Sequence, residues 1–219
     1  MNIFDIIGPV MIGPSSSHTA GAARIGRMAR HLLGEPAVKA HILLAGSFAH
    51  TYKGHGTDKA IMAGIMNMAP DDRRIRNSLQ IASEAGIDYG FEPGIIENCH
   101  PNTARITLEG ESGRKLVMQA SSVGGGNIMV NEINGLKVEI SGQFSTLIVV
   151  HRDIPGMIAK VTTIMADEGM NIFNFMLNRD GKGGTAVMTI ECDGEIAGKI
   201  TDELSCLDNV MSVTLITPL

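Results

Sequence analysis

The sequence predicts a two-domain protein of the α/β (α+β) class. A mixed α/β domain is expected at residues 1–141, followed by a smaller domain at residues 144–219. The chain has 219 residues, which is enough for one or two domains. Hydrophobic residues make up 44% of it and charged residues 19%, which predicts a packed core. Segments with helical spacing and segments with alternating spacing of apolar residues follow one another along the chain.

The elements of the first domain are predicted from this periodicity. Helical spacing predicts helices at residues 20–33, 59–68 and 71–85, with Gly34 and Gly86 as stops after the first and the third. Short β-rich runs predict strands at residues 38–44, 105–109, 115–121 and 137–140. The glycine-rich run 122–127 lacks the pattern of a P-loop or a dinucleotide fingerprint, so it is interpreted as a bulge or a close backbone approach.

The second domain is predicted to have the order β-α-β-β-α-β, which is the ferredoxin-like pattern. Strands are expected at residues 144–150, 171–178, 185–191 and 210–216. Helices are expected at residues 157–168 and around Ile196, Ile200 and Leu204. A turn containing Gly156 joins the first strand to the first helix, and residues 180–184 have the composition of a hairpin turn.

This order, with Gly156 in the first turn and Asp-Glu-Gly-Met-Asn-Ile after the helix, resembles an ACT domain. ACT domains are small regulatory modules that commonly bind amino acids between paired copies. The resemblance implies effector contacts from Asp153, Gly156 and Met157, together with Asn171 of a facing copy, and self-association through this domain. The alternative is that Gly156 only makes a tight turn and the module only dimerises.

A serine-rich stretch with one histidine precedes the first predicted helix, and it comprises Ser15, Ser16, Ser17, His18 and Thr19. Hydroxyl groups there can accept hydrogen bonds from the free N–H groups of a helix. The same N–H groups attract a carboxylate or phosphate, beside which a histidine could exchange protons. The alternative is a helix cap next to an exposed histidine.

Three more polar loops share this character, and they are residues 53–58, 100–103 and 124–126. They contain His55, the pair His100 and Asn102, and Gly125. Loops on a rigid scaffold often carry functional groups, so the four loops are predicted to converge. A lone loop histidine is usually solvated, but three of them favour a common site.

These stretches resemble the signature segments of the β chain of iron–sulfur-dependent L-serine dehydratase. The resemblance implies conversion of L-serine to pyruvate and ammonia, in serine catabolism and gluconeogenesis. It implies catalytic roles for His18, His55 and His100, with the identity of the base left open. It also implies substrate contacts from Ser15, Ser16, Ser17, Thr19, Asn102 and Gly125. A partner α chain would carry a [4Fe–4S] cluster, whose iron can act as a Lewis acid.

The cysteines set a limit on what this chain can do alone. A [4Fe–4S] cluster needs about three or four thiolates at motif spacing, and the chain has only Cys99, Cys192 and Cys206, widely separated. No metal site is therefore predicted here, and the cluster ligands are expected mainly on the α subunit. Cys99 adjoins His100 but is interpreted as a bystander. The chain alone is predicted to be inactive.

Other function classes are disfavoured by composition. The net charge of −5 is unfavourable for binding nucleic acid. Residues 1–13 are apolar but too short to cross a bilayer, and they lack a basic n-region, so a cytoplasmic protein with no membrane partner is expected. Two alternatives remain besides an enzyme subunit. One is an amino-acid-sensing module without catalytic residues, and the other is a free-standing ACT-type regulator.

Overall fold

The computed structural model describes residues 10–218, and the chain divides into two compact units between Asn134 and Gly135. Most of the apolar segment at residues 1–13 lies outside the described residues, so its predicted properties stay a prediction. The predicted boundaries, 1–141 and 144–219, likewise stay a prediction.

The first unit contains four helices and five strands among its described residues. The helices are α1 (Ala22–Leu33), α2 (Gly46–His55), α3 (Thr57–Ile65) and α4 (Ser78–Glu84). A π-helical turn, Ser16–Gly21, precedes α1, and a 3₁₀ turn, Arg73–Asn77, precedes α4. The strands are β1 (Ala37–Ala45), β2 (Asp88–Pro93), β3 (Asn102–Gly110), β4 (Lys115–Gly124) and β5 (Asn127–Ile133).

Several of these elements differ from the predicted ones. Helix α2 and the strands β2 and β5 had no predicted counterpart. The helix predicted at residues 71–85 is a 3₁₀ turn followed by the short helix α4. The helix predicted at residues 59–68 spans Thr57–Ile65 and ends before Asn67, whose positive φ of 63° takes the chain out of the helical conformation.

The sheet of this unit has its strands in the order β2-β1-β3-β4-β5. Strand β2 is parallel to β1, and the other neighbours are antiparallel. Alternate residues of β3, such as Ala104 and Ile106, are fully buried on the face that α1 covers. Thr107 points to the opposite, open face and is exposed. One covered and one open face are usual for an antiparallel sheet, and the two faces separate the candidate site residues described below.

Helices α1 and α3 pack with their backbones in contact, and two glycines make this possible. A Cβ atom at Gly26 would overlap the carbonyl oxygen of Ile61, and one at Gly64 would overlap that of Ala23. Small residues at a crossing allow two helices to approach more closely than larger side chains permit. Helix α1 is thereby fixed against α3. The turn Ser16–Gly21, which precedes α1, and the turn at Gly56, which precedes α3, are held in place with them.

Replacing Gly26 by alanine is expected to lower the free energy of unfolding by about 3 kcal/mol, because the overlapping atom belongs to backbone and cannot rotate away. Gly54→Ala is the matched control, since Gly54 also lies in a helix but its Cβ would meet nothing within 4 Å. That control should be neutral or stabilise by up to about 1 kcal/mol. Urea denaturation measures both, and equal stability of the two variants would contradict the close crossing.

The second unit has the predicted β-α-β-β-α-β order. It comprises β7 (Ser145–Arg152), α5 (Met157–Asp167), β8 (Ile172–Arg179), β9 (Thr185–Cys192), α6 (Gly198–Ser205) and β10 (Val210–Ile216), preceded by β6 (Leu136–Ile140). Its antiparallel sheet has the order β10-β7-β9-β8. Apolar side chains such as Leu147, Val161 and Leu204 form one buried cluster between this sheet and the helices. The predicted fold class is confirmed.

Candidate active site

The serine-rich stretch forms a capped π-helical turn. Ser15 is extended, with φ −140° and ψ 127°, and its Oγ accepts a hydrogen bond from the backbone N–H of His18 at 3.2 Å. Of the hydroxyl groups in this stretch, Ser15 is thus the one that caps the turn. A Cβ at Gly21 would overlap the side chain of Ser122 on β4, so this glycine lets the turn lie directly on the sheet. π-Helical turns are uncommon and often occur at functional sites.

The imidazole of His18 is held between two serine hydroxyls. Its Nδ1 lies 3.4 Å from Ser15 Oγ, and its Nε2 lies 3.2 Å from Ser47 Oγ. Either hydroxyl can donate or accept, so the ring is held in both neutral tautomers. The Phe48 ring lies edge-on, with the centroids 5.2 Å apart. His18 is only 9% exposed, so its position is fixed by packing as well as by hydrogen bonds.

Ser47 had no predicted role. It lies at the start of α2, directly after β1, and sequence reasoning passed over that helix. The signal available was a strand that ends in Ala45, followed by Gly46 and Ser47. A small hydroxyl residue after a strand is a common way to begin a helix.

His55 is the last residue of α2 and faces His18. The two ring centroids are 4.8 Å apart and the rings are nearly perpendicular, at 87°. Burial, and then the charge of His55, lower the pKa of His18 below its ordinary value of 6.5. His18 is therefore neutral at pH 7, and protonating both rings together is unfavourable.

The prediction that residues 53–58 form a loop is wrong. These residues are the end of α2, a left-handed Gly56 with φ 72°, and the start of α3. Glycine adopts this conformation without strain, so the chain can turn sharply between two helices. His55 consequently has a defined position at a helix end.

A cleft of about 270 Å³ opens beside His55. It is lined by Ile12, Gly13, Pro14, Thr19, Lys53, Gly54, His55, Gly56, Lys59, Ile75 and Arg76. His18 does not line it and lies behind His55. The Oγ1 of Thr19 is buried and has no hydrogen-bond partner, so it is available to a group bound in the cleft. Lys53, Lys59 and Arg76 make the lining cationic.

His100 lies on the other side of the sheet. It lines a separate pocket of about 230 Å³ together with Gln119, Ser121 and Asn131. Because Ser122 contacts the π-helical turn, its neighbour Ser121 points to the open face, away from His18. Within this unit, the structure therefore brings His18 and His55 together and places His100 elsewhere. A catalytic role for His100 stays a prediction.

Asn102 is closer to the His18 side. Its backbone N–H donates to His100 Nδ1 at 3.1 Å, and its backbone forms a bridge with Gly46 at the start of α2. The side-chain Oδ1 of Asn102 is buried without a hydrogen-bond partner. A buried oxygen of this kind is a reasonable contact point for a ligand, but Asn102 does not line the cleft beside His55.

The glycine-rich run forms the turn of the hairpin between β4 and β5. A bulge between Ser122 and Gly124 agrees with one of the two interpretations given above. Gly125 is exposed in the turn and does not line the cleft. Arg24 Nη1 donates to the carbonyl oxygen of Gly126 at 2.9 Å, which ties the hairpin to α1.

In the second unit, three of the four predicted effector residues line one pocket. Asp153, Gly156 and Met157 surround a pocket of about 430 Å³. The Asp153 carboxylate already accepts hydrogen bonds from Gly183 N–H at 3.1 Å and Arg179 Nη1 at 2.7 Å, which lower its pKa. Asn171 lies at the other end of β8, where its Nδ2 donates to Asp193. Within one chain, Asn171 is not part of this pocket.

The described residues do not fit an iron–sulfur cluster. No group of three or more His, Cys, Asp or Glu side chains among residues 10–218 is arranged to hold a metal ion. Cys99 is half-buried and Cys206 exposed, while Cys192 is buried, which raises the pKa of its thiol to about 11. A thiol with so high a pKa is a poor metal ligand. In the same part of the chain, no helix combines the length and hydropathy needed to cross a bilayer.

Comparison with known proteins gives the family. A family model described as serine dehydratase beta chain matches residues 2–133, and an ACT domain model matches residues 145–205. The chain is 47% identical to the probable L-serine dehydratase, beta chain, of Bacillus subtilis, over 98% of this chain and 97% of that one. It is 36% identical to the L-serine dehydratase, beta chain, of Peptoniphilus asaccharolyticus, over 87% and 86% respectively.

A more distant similarity covers both units. The chain is 26% identical to a D-3-phosphoglycerate dehydrogenase of Bacillus subtilis, over 89% of this chain and 37% of that one. The first family model covers more than half of the chain, and both beta-chain relatives are covered over most of their length. The chain therefore belongs to the serine dehydratase beta chain family and carries an ACT domain in its C-terminal part.

Proposed function

We propose that this chain is the β subunit of an L-serine dehydratase that converts L-serine to pyruvate and ammonia in the cytoplasm. The observation that carries the proposal is the paired histidines at a small cationic cleft. His55 lines the cleft, and the neutral ring of His18 supports it from behind. Membership of the family and similarity to two proteins named as L-serine dehydratase beta chains support the choice of reaction.

The proposal gives the two histidines different roles. Loss of water from L-serine requires removal of the Cα proton and departure of the hydroxyl group. His55 is the histidine that a substrate in the cleft can touch, so it takes the Cα proton as general base. His18 acts through His55. Because Ser15 and Ser47 fix its ring, it orients His55 and disfavours a second positive charge at the pair.

The remaining parts of the site are assigned to a partner. In this proposal an α subunit carries the [4Fe–4S] cluster and this chain contributes binding and proton transfer, in keeping with its three widely separated cysteines. After water is lost, the resulting enamine tautomerises to an imine, which hydrolyses to pyruvate and ammonia. The ACT domain pairs with a second copy and binds an amino acid in the pocket around Gly156.

Reconstitution tests this proposal. We expect the purified chain alone to form no pyruvate from L-serine, because half of the site is on the partner. Anaerobic co-expression with a cysteine-rich candidate α chain should give a complex that holds iron and forms pyruvate. A lactate dehydrogenase-coupled assay measures the product. A stable, iron-loaded complex with no activity on L-serine would refute the dehydratase assignment.

An amino-acid-sensing module without catalysis is the second candidate, and the pocket around Gly156 favours it. The two candidates differ in their response to changes at the histidines. A sensor would keep most of its ligand affinity after replacement of His55, which lies in the other unit. An enzyme subunit would lose turnover.

A further inference from the structure

The cleft beside His55 is unusually cationic for this chain. The net charge of the protein is −5, yet Lys53, Lys59 and Arg76 line the cleft, and none of its lining residues within 10–218 carries a carboxylate. None of the ion pairs among the described residues involves Lys59 or Arg76. Lys53 differs, because its Nζ lies 5.7 Å from the ring centroid of Tyr52, where a cation is attracted by the aromatic face. Lys59 and Arg76 are thus outside the ion pairs of this part of the chain, although the charge of Lys59 is felt by Asp58.

The backbone around these two cations is held firmly. Ser78 is fully buried, and its Oγ donates to the carbonyl oxygen of Lys59 at 2.7 Å, which ties the segment after Arg76 to the first turn of α3. Ile75, the residue before Arg76, is buried against Ala63. Arg76 therefore lies between two anchored residues, Ile75 directly before it and Ser78 two positions after it. Such anchoring reduces the entropy lost when the side chains order around a ligand.

The acid that neighbours Lys59 in the sequence is Asp58, and its carboxylate already accepts a hydrogen bond. Asp58 Oδ1 accepts the backbone N–H of Lys59 at 2.8 Å, and the side chain is buried outside the cleft lining. This hydrogen bond lies within the first turn of α3. The Lys59 ammonium remains at the cleft.

We infer that Lys59 and Arg76 bind the carboxylate of the substrate, with Thr19 Oγ1 donating a further hydrogen bond to it. This rests on the proposed function. A carboxylate oxygen can accept from an ammonium, from a guanidinium and from a hydroxyl, which matches the groups that line the cleft. His55 lines the same cleft. With its carboxylate held by these groups, an amino acid therefore presents its Cα to His55. The inferred site therefore selects a free amino acid over an amide or ester.

Kinetics of the reconstituted complex test this assignment. Lys59→Met and Arg76→Met should each raise KM for L-serine by about 10- to 100-fold, the usual effect of losing a charge-assisted hydrogen bond. Arg76→Lys should recover part of the loss, since it keeps the charge but not the bidentate geometry. The matched control is Arg73→Met, in the same 3₁₀ turn but outside the cleft, and its KM should equal that of the unchanged complex.

The outcomes separate this inference from the proposed function. If the unchanged complex forms no pyruvate from L-serine, the proposed function is refuted. If the complex is active but Lys59→Met and Arg76→Met both leave KM for L-serine unaltered, only the carboxylate site is refuted. L-Serinamide has no carboxylate, so it should bind the unchanged complex no more tightly than it binds the complex that carries Arg76→Met. Inorganic phosphate is the third probe, because the same cations could serve a phosphate. Inhibition by phosphate that Arg76→Met abolishes while leaving KM for L-serine unaltered would also overturn the inference.

Discussion

A reconstituted complex that carries His55→Gln is expected to form pyruvate about 100- to 10,000-fold more slowly than the unchanged complex. Glutamine is similar in size and can donate and accept hydrogen bonds, but it cannot take up a proton. The loss should fall on kcat, because His55 is proposed to act on the Cα proton and the carboxylate is held elsewhere. His55 is an exposed side chain at the end of α2, so folding should be little affected.

His50→Gln is the matched control for this experiment. His50 is an exposed histidine of the same helix and does not line the cleft. Its replacement should leave kcat within about twofold, as expected for a surface change. Thermal melting of both variants checks the fold. If His55→Gln retained full kcat with an intact fold, His55 could not be the base, and the proton would have to be taken by a group of the partner.

His18→Asn is expected to lower kcat by about 100-fold, even though His18 does not line the cleft. The reason is that His55 loses the ring that orients it. A merely structural role would leave the pH profile unchanged, so the profile is the decisive measurement. In the unchanged complex, protonation of His18 below pH 6.5 places a positive charge beside the base, so kcat/KM should fall as the pH drops through that range. In the variant this group is absent, and that part of the acid limb should disappear.

The stability of the isolated chain provides a second measurement for His18. Its pKa in the folded chain is lowered from 6.5, mainly by burial. As the pH falls through 6.5, the unfolded chain takes up this proton before the folded chain does, so folding becomes less favourable. The asparagine variant lacks this loss. Urea denaturation at pH 7.5 and pH 5.5 should therefore show a difference in stability between the two proteins that shrinks as the pH falls, and a constant difference would contradict the lowered pKa.

Elements with a strong hydrophobic period were predictable from the sequence. Helix α1 and the strands β7 and β9 have a clear pattern and appear close to their predicted bounds. Helix α2 was missed because its sequence, Gly-Ser-Phe-Ala-His-Thr-Tyr-Lys-Gly-His, has one fully buried residue, Phe48, and two glycines. Tertiary contacts stabilise that helix, and local propensity does not reveal them.

The site was predictable in its residue types but only partly in its geometry. The serine-rich stretch and the Gly-His-Gly sequence identified His18 and His55, which the structure places in contact. The separation of His100 from His18 depends on the face of β4 to which Ser121, its neighbour in the pocket, points. A single-residue shift in register reverses that face, so spacing along the sequence could not decide it. Lys59 and Arg76 were passed over because an isolated charge in a sequence is usually solvated.

The π-helical turn imposes a constraint on the length of the serine-rich stretch. Six residues, Ser16–Gly21, lead into the regular helix α1. Successive residues of an α-helix are rotated by about 100° around its axis. Deleting one residue between His18 and Ala22 would leave the composition almost unchanged, but it would turn the His18 side chain away from Ser47 by about that angle. The contact between His18 and Ser47 therefore depends on the number of residues in this stretch as well as on their identity.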